Sequence, residues 1–339
     1  MDLQRFTQAS FREDLHELEK ATGKHQRYLV VVNPVSRGGK AMREGVWLVK
    51  HLSRLGVSHE AFFTDYPGHA RNIVKRWIDS VDVVVAVGGD GTVNEVINGV
   101  MASGSDKPLA VFPAGTADDF CHNVGISRDR KKALEVLLTD SSRPIDLMRY
   151  NDRYAAVTLG IGVDAEIAYH TLSHKRIRIP AYFAVGLRTV FIERMQKSPR
   201  ELRVESETGV LEGRFLIAVF GNAPLYGRYV YWLPEALMDD GMLDMSALRP
   251  MKPIAAWSLL MKCFDKDFRS DKIIHDRSTW FKVEILEESF MQVDGEVYKV
   301  NTGEKLDISV EQQALNVRLP FQLPADSGLS GEKTGPPAW

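Results

Sequence analysis

The sequence predicts an α/β protein in two parts, an N-terminal doubly wound parallel sheet followed by a C-terminal, mainly antiparallel β-sandwich. The length of 339 residues, against about 150 residues per domain, favours two domains over one. From Arg27 to about Leu138, short apolar bursts alternate with amphipathic stretches, the pattern of buried parallel strands joined by crossover helices. After Pro144 this alternation stops and strand-like segments follow one another, as in an antiparallel sheet stack.

Residues 1–26 read as a polar N-terminal extension, with Leu3, Phe6, Phe11, Leu15 and Leu18 near helical spacing among charges. In residues 27–144 the strand candidates are Tyr28 to Val32, Ala61 to Phe63, Val81 to Val87 and Leu109 to Phe112. The helix candidates between them are Lys40 to Leu55, His69 to Asp79, Asn94 to Met101 and Arg128 to Leu138. Residues 145–323 carry strand-like segments such as Ile145 to Tyr150, Tyr154 to Leu159, Arg214 to Val219, Met242 to Ala247 and Phe281 to Leu286, with longer helical patterns at Pro180 to Met195 and Pro253 to Phe264. The final strand of that part is free to return to the first domain. Residues 324–339, rich in Pro, Gly and Ser, are expected to be a disordered tail.

Composition narrows the function classes. With 44% hydrophobic and 26% charged residues, the chain is an ordinary globular one. Its net charge of -2 gives no global positive field for a nucleic-acid backbone. Two cysteines, Cys121 and Cys263, build neither a disulfide framework nor a four-cysteine zinc site. The longest stretch without a charged residue or histidine, Phe215 to Gly227, falls short of the ~20 residues of a spanning helix. The charged N-terminus leaves no apolar core for a signal peptide. A cytoplasmic protein is expected.

Chemistry concentrates at strand ends. The run VDVVVAV ends in Gly88-Gly89-Asp90-Gly91-Thr92, and a helical pattern begins at Asn94. Glycines let backbone N–H groups approach a phosphate closely, and a helix N-terminus adds a favourable dipole. Asp90 would repel a bare phosphate, so a divalent cation, Mg²⁺, is expected between them. A plain tight turn is the alternative. The first strand ends in Asn33-Pro34-Val35-Ser36-Arg37-Gly38-Gly39-Lys40, a second phosphate-loop candidate that does not fit a Walker A pattern. The end of Leu109 to Phe112 runs into Pro113-Ala114-Gly115-Thr116-Ala117-Asp118-Asp119-Phe120. Three polar, glycine-bearing loops thus converge on one sheet edge, where open α/β folds bind ligands. A nucleotide site is the expected occupant. Gly160-Ile161-Gly162 begins like a dinucleotide fingerprint but lacks its third glycine, since position 165 is Ala.

Together these loops resemble the diacylglycerol kinase catalytic-domain family, which includes bacterial lipid kinases and the sphingosine and ceramide kinases. The resemblance runs from about Arg27 to Pro320 through NPVSRGGKA, FFTDYPGHA, VVAVGGDGTVNEVINGV, FPAGTADDFCHNVGI, the IDL of Ile145 to Leu147, LGIGVDAEIA, FGNAPLYG, LPEALMDDGMLD and VDGE. It implies that Asn33, Pro34, Val35, Ser36 and Arg37, together with Thr64, Gly88, Gly89, Asp90, Gly91, Thr92, Val93, Asn94 and Thr116, line an ATP site. It implies Glu296 as general base, and Asp90, Asp119 and Asp146 as a carboxylate and water network around catalytic Mg²⁺. It further implies a second, structural Mg²⁺ on the Asp240 side chain and the Leu237 and Met242 carbonyls. Arg37 stands where many members have glycine, and Asp118 where they have asparagine; both bear on nucleotide and metal preference.

The residue types agree with phosphoryl transfer on their own terms, because that reaction asks for positioning, neutralised phosphates and a carboxylate to accept the hydroxyl proton. For Glu296 a simple strand-turn acid is the alternative. The acceptor is expected to be a diacylglycerol-like or long-chain lipid met at a membrane surface. Between Ser173 and Arg203, eight basic residues, among them Lys175, Arg176 and Arg178, face only Glu193 and Glu201, which reads as a peripheral membrane contact at the inner membrane face or as a solvated helix face. A homodimer is compatible with this reading. A soluble NAD or sugar-phosphate kinase would share GGDGT, and a non-catalytic lipid-binding protein could use the same fold.

Overall fold

A computed structural model of the chain describes residues 26–172, 199–227, 229–323 and 327–330. The N-terminal extension up to residue 25, the helical pattern at Pro180 to Met195, and Lys175, Arg176 and Arg178 lie outside the described residues.

Strands β1 (Arg27–Val32), β2 (Ser58–Phe63), β3 (Val83–Gly88) and β4 (Leu109–Pro113) pair in parallel in the order β2-β1-β3-β4. They are separated by helices α1 (Ser36–Arg54), α2 (His69–Trp77) and α3 (Asp90–Ala102); α4 (Asp119–Asn123) and α5 (Arg130–Leu138) follow β4. Every residue of β3 and β4 is buried, which is why these strands read as unbroken apolar runs. Leu29, Val31, Val84 and Ala86 pack against Ile73 and Val74 of α2 and Val96, Ile97 and Val100 of α3. Their neighbours Val30, Val32, Val83 and Val85 pack on the opposite face against Leu48 and Leu52 of α1 and Leu134 and Leu137 of α5. The sheet is therefore covered on both faces, as doubly wound sheets are.

The second half begins with β5 (Ser142–Tyr150), β6 (Arg153–Ala155), β7 (Thr158–Gly162) and α6 (Val163–Leu172), a helix that sequence patterning did not reveal. It continues with β8 (Arg200–Ser206), β9 (Gly209–Phe215), β10 (Ile217–Gly221), β11 (Leu225–Tyr226), β12 (Val230–Tyr231), β13 (Leu243–Leu248), α7 (Pro253–Lys262), β14 (Ile273–Ser278), β15 (Trp280–Ile285), β16 (Ser289–Val293), β17 (Glu296–Val300) and β18 (Lys305–Arg318). A six-stranded sheet in the order β14-β13-β10-β7-β16-β17 faces the continuation of the first sheet through β18, β15, β8 and β9. The shared core holds Leu159, Phe220, Met245 and Val293 from one layer and Val204, Phe281, Val283 and Ile308 from the other. Phe220 and Phe281 meet edge to face at 5.2 Å, and truncating such a buried ring costs about 3–5 kcal/mol. This is an antiparallel β-sandwich joined to the parallel sheet by one strand: β18 pairs with β15 over Lys305 to Ser309, with β5 along most of its length, and in parallel with β4 at Val317.

Two sequence expectations change. The GGDGT segment is a direct strand-to-helix junction, because Gly88 ends β3 and Gly89 caps α3 and accepts the Thr92 and Val93 amides, so Asp90 lies in the first helical turn. The expected disordered tail contains an ordered piece: Leu329 is buried beside Met238 and Phe120, and Gly328 bonds to the backbone of Asn123 and Met238. Leu329 anchors part of what composition alone marks as unstructured. Of the basic stretch, Arg200 and Arg203 sit in β8 and pair with Glu166 and Glu287 and with Glu205 and Glu212, so these two charges are spent inside the fold. Among the described residues no helix is long and apolar enough to cross a membrane.

Candidate active site

The carboxyl ends of β1, β3 and β4 open into a cavity of about 370 Å³. Of the expected nucleotide residues, Asn33, Val35, Ser36, Thr64, Gly89, Asp90, Gly91, Thr92 and Thr116 line it, and Glu296 reaches it from β17. Pro34, Arg37, Gly88, Val93 and Asn94 are not among the residues that line it. Asn33 donates from Nδ2 to the Thr92 hydroxyl at 3.0 Å and accepts the Val35 amide at 3.2 Å, tying the first loop to α3. The loops leave no room for side chains: a Cβ on Gly115 would lie 2.3 Å from the Gly89 Cα. Arg37 has φ 50, followed by Gly38 at φ 64 and Gly39 at φ 87. Three successive left-handed residues explain why glycine suits position 37, and the arginine here carries a strain of roughly 1–2 kcal/mol.

Glu95, one turn into α3, accepts the amides of Gly68 at 2.7 Å and Ala70 at 3.0 Å. It thereby holds the Thr64 loop over the cavity. Asp90 accepts the Phe120 amide at 3.0 Å and Asp119 accepts the Gly227 amide at 2.9 Å. Loss of water around Asp90, then the Asp119 charge, push its carboxyl up, and the other charges that move it are the carboxylates of Asp118 and Asp294. Mg²⁺ typically keeps several waters and takes one or two carboxylates plus substrate phosphates. Asp90 and Asp119 are carboxylates of the kind that donor set uses. Asp118 is different: it is buried, accepts the Gly115 amide at 2.7 Å, and meets the Arg128 guanidinium at 2.7 Å. The charge that the sequence adds beside the expected metal is thus closed off by an arginine ten residues on.

Glu296 follows a two-residue turn in which Asp294 has φ 46 and Gly295 φ 85, the left-handed pair that Asp-Gly hairpins favour. Asp294 is buried and accepts four hydrogen bonds: Ala156 amide 2.9 Å, Val157 amide 3.0 Å, Thr158 amide 3.1 Å and Asn94 Nδ2 2.9 Å. This clasp fixes the β16–β17 turn against α3. Glu296 Oε1 comes so close to Gly91 that a Cβ there would stand 3.3 Å away, while Oε2 accepts the Tyr298 hydroxyl at 2.7 Å. Burial pushes the Glu296 carboxyl up and the Tyr298 hydrogen bond pulls it back. Asp294 and Tyr298 escape sequence reasoning because Asp294's partners lie 136 to 200 residues away and Tyr298 looks like any strand aromatic.

Asp146 does not join Asp90 and Asp119. It is buried, and both carboxylate oxygens accept backbone amides, Oδ2 from Gly241 at 2.6 Å and Oδ1 from Gln313 at 2.7 Å. It fastens the turn that holds Asp240 to β5 and to the irregular middle of β18. Leu237, Asp240 and Met242 lie in that turn, away from the cavity lining.

Residues 27–150 match the family model described as a diacylglycerol kinase catalytic domain, and residues 157–318 match a YegS C-terminal NAD kinase beta sandwich-like domain. A diacylglycerol kinase of Staphylococcus aureus is 27% identical over 276 residues, covering 80% of this chain and 86% of that protein. A diacylglycerol kinase of Bacillus subtilis is 25% identical over 288 residues, covering 84% and 94%. A crystal structure of a diacylglycerol kinase from Bacillus anthracis superposes with a TM-score of 0.67 at 21% identity, covering 87% of this chain and 97% of that one, a likeness of fold. With both halves matched in order and the glycine loops, carboxylates and hairpin glutamate gathered at one cavity, the chain belongs to the diacylglycerol kinase catalytic-domain family and is a kinase, a phosphotransferase.

Proposed function

We propose that this kinase transfers the γ-phosphoryl group of ATP to a hydroxyl of a diacylglycerol-like or long-chain lipid, with Glu296 as general base. The observation that carries the reading is the placement of the Glu296 carboxyl against Gly91 of the phosphate loop, inside the cavity that Asn33, Thr64 and Asp90 line. The acceptor oxygen forms a bond to the γ-phosphorus as the bond to the β,γ-bridging oxygen breaks, ADP leaves, and the hydroxyl proton passes to Glu296. The N-terminus of α3 and the glycine loops receive the phosphates, and Tyr298 orients the base. Asp90 and Asp119 would hold Mg²⁺, which supplies neutralisation of phosphate charge. The names of the Staphylococcus and Bacillus relatives support a lipid acceptor. The excess of Lys and Arg between Ser173 and Arg203 supports a meeting at an anionic membrane surface.

The test is transfer of label from γ-labelled ATP, offered lipid micelles or NAD. Lipid should be labelled and NAD not. Glu296→Gln should lower the rate by roughly 10² to 10⁴-fold with the melting curve unmoved. Label appearing only on NAD would sink the lipid reading, and a fully active Gln variant would remove Glu296 from the chemistry.

A further inference from the structure

Met238-Asp239-Asp240-Gly241-Met242 forms an acidic turn leading into β13, the place where the resemblance implies a structural Mg²⁺. The structure engages the Asp240 carboxylate differently. Its Oδ1 accepts the Met242 amide at 3.0 Å, and its Oδ2 pairs with the Arg277 guanidinium. Arg277 is delivered there by backbone register, since β13 and β14 pair with Asp244 directly opposite Arg277. Opposed residues of an antiparallel pair share a face, so the guanidinium also stands over Asp244, with Nε 3.8 Å from Oδ2. The remaining charges that bear on these two carboxylates are acidic: Asp146 and Asp239 for Asp240, and Asp240 and Glu235 for Asp244. Burial raises the Asp240 carboxyl, and Arg277 is the strongest influence holding it down.

A divalent cation on Asp240 would have to displace this guanidinium or sit in contact with it, and like charges at contact repel strongly. The neighbouring Asp146 is committed to the fold, its two oxygens accepting the Gly241 and Gln313 amides. The residues of this turn therefore do not fit the structural Mg²⁺ of the resemblance. We propose that Arg277 is the built-in cation of this turn: its guanidinium takes the position of a divalent ion on Asp240, bridges it to Asp244 across the β13–β14 pair, and closes the turn without metal. This stands apart from the kinase reading, which needs no ion at Asp240.

The experiment is calorimetric melting of the full, nucleotide-free chain in EDTA and in millimolar MgCl₂ or CaCl₂. In the wild type, any gain from the metal comes from elsewhere, so Asp240→Asn should show the same gain. Arg277→Gln should melt several degrees lower in EDTA and should acquire a larger metal-dependent rise, which the Arg277→Gln, Asp240→Asn double variant loses. Arg277→Lys, which keeps the charge, should stay close to the wild type in its metal response and covers the case in which the Gln variant does not fold. A wild-type gain that disappears in Asp240→Asn would overturn the proposal. So would an Arg277→Gln variant whose metal response equals that of the wild type, or an Arg277→Lys variant that acquires a metal-dependent rise although it keeps the charge.

Discussion

Two acidic regions of this molecule are treated in opposite ways. At the cavity, Asp90 is surrounded by carboxylates that push its protonation up. At the turn before β13, Asp240 and Asp244 share the guanidinium of Arg277. Removing carboxylates from water costs several kcal/mol per ion unless a partner repays it. The turn offsets part of that cost from within the chain through Arg277, as Asp118 does through Arg128, although burial still raises the carboxyls of Asp240, Asp244 and Asp118. At the cavity, Asp90 and Asp119 accept the Phe120 and Gly227 amides, and the charges that raise Asp90 come from other acids. An acid pair bridged by an arginine within the fold is therefore structural, whereas Asp90, raised by the carboxylates of Asp119, Asp118 and Asp294, favours a ligand that brings positive charge.

Substitutions can break that contrast. The largest expected effect is at Asp90→Asn, which should lower turnover by roughly 10² to 10³-fold, the scale of losing one electrostatic contact to the transition state. Its stability should move the other way. The folded pKa of Asp90 is raised, so the wild type loses stability as pH rises through that value, and a neutral Asn does not. The melting advantage of the variant should therefore grow from about pH 4 to about pH 7 and level off above it. A destabilised Asn variant at alkaline pH would show that the Asp90 charge is compensated internally. Arg128→Gln should do the reverse, leaving Asp118 buried without its cation; breaking such a partly exposed pair should cost about 2–3 kcal/mol, read by denaturant unfolding. An unchanged midpoint would erase the distinction between the two kinds of cluster.

Smaller changes sharpen the picture. The Tyr298 hydroxyl stabilises the charged form of Glu296, so Tyr298→Phe should raise the Glu296 pKa and move the acid limb of the kcat/KM profile to higher pH. An unmoved limb would mean that Glu296 does not set it. The smallest effect belongs to Arg37→Gly, which relieves a left-handed arginine but adds freedom to the unfolded chain. A gain of about 1 kcal/mol or less is expected, as a slight rise in melting temperature.

Much of this was legible in the sequence where the signal is local. The parallel strands announce themselves because burial on both faces demands unbroken apolar runs, and the Gly88 to Thr92 and Asp294-Gly295 turns because their backbone geometry needs glycine. The two-domain order and the loops at one sheet edge follow from the same reading. What stayed hidden depends on register and distance. Nothing in the order of residues says that Arg277 faces Asp244, because that follows from how β13 and β14 align. That Asp146 fastens Gly241 and Gln313 through their amides is equally invisible in the sequence, because those residues lie far along the chain. Asp118 reads as excess negative charge until α4 and α5 bring Arg128 back to it.

The single strand β18 also has a meaning for the order in which the protein can be made. As a ribosome releases the chain from its N-terminus, β1 to β4 can assemble early, but the pairing partner of β4 at Leu109 is Val317, and the side chain of Asn316 bonds to the backbone of Asp106, 210 residues earlier. Until that last segment emerges, β4 lacks this neighbour and presents an apolar, hydrogen-bonding edge, the kind of surface that recruits other chains. A nascent chain stalled or truncated before Lys305 would thus carry a nearly complete nucleotide half that is prone to aggregation, and vectorial synthesis makes the final strand the step that seals both halves at once.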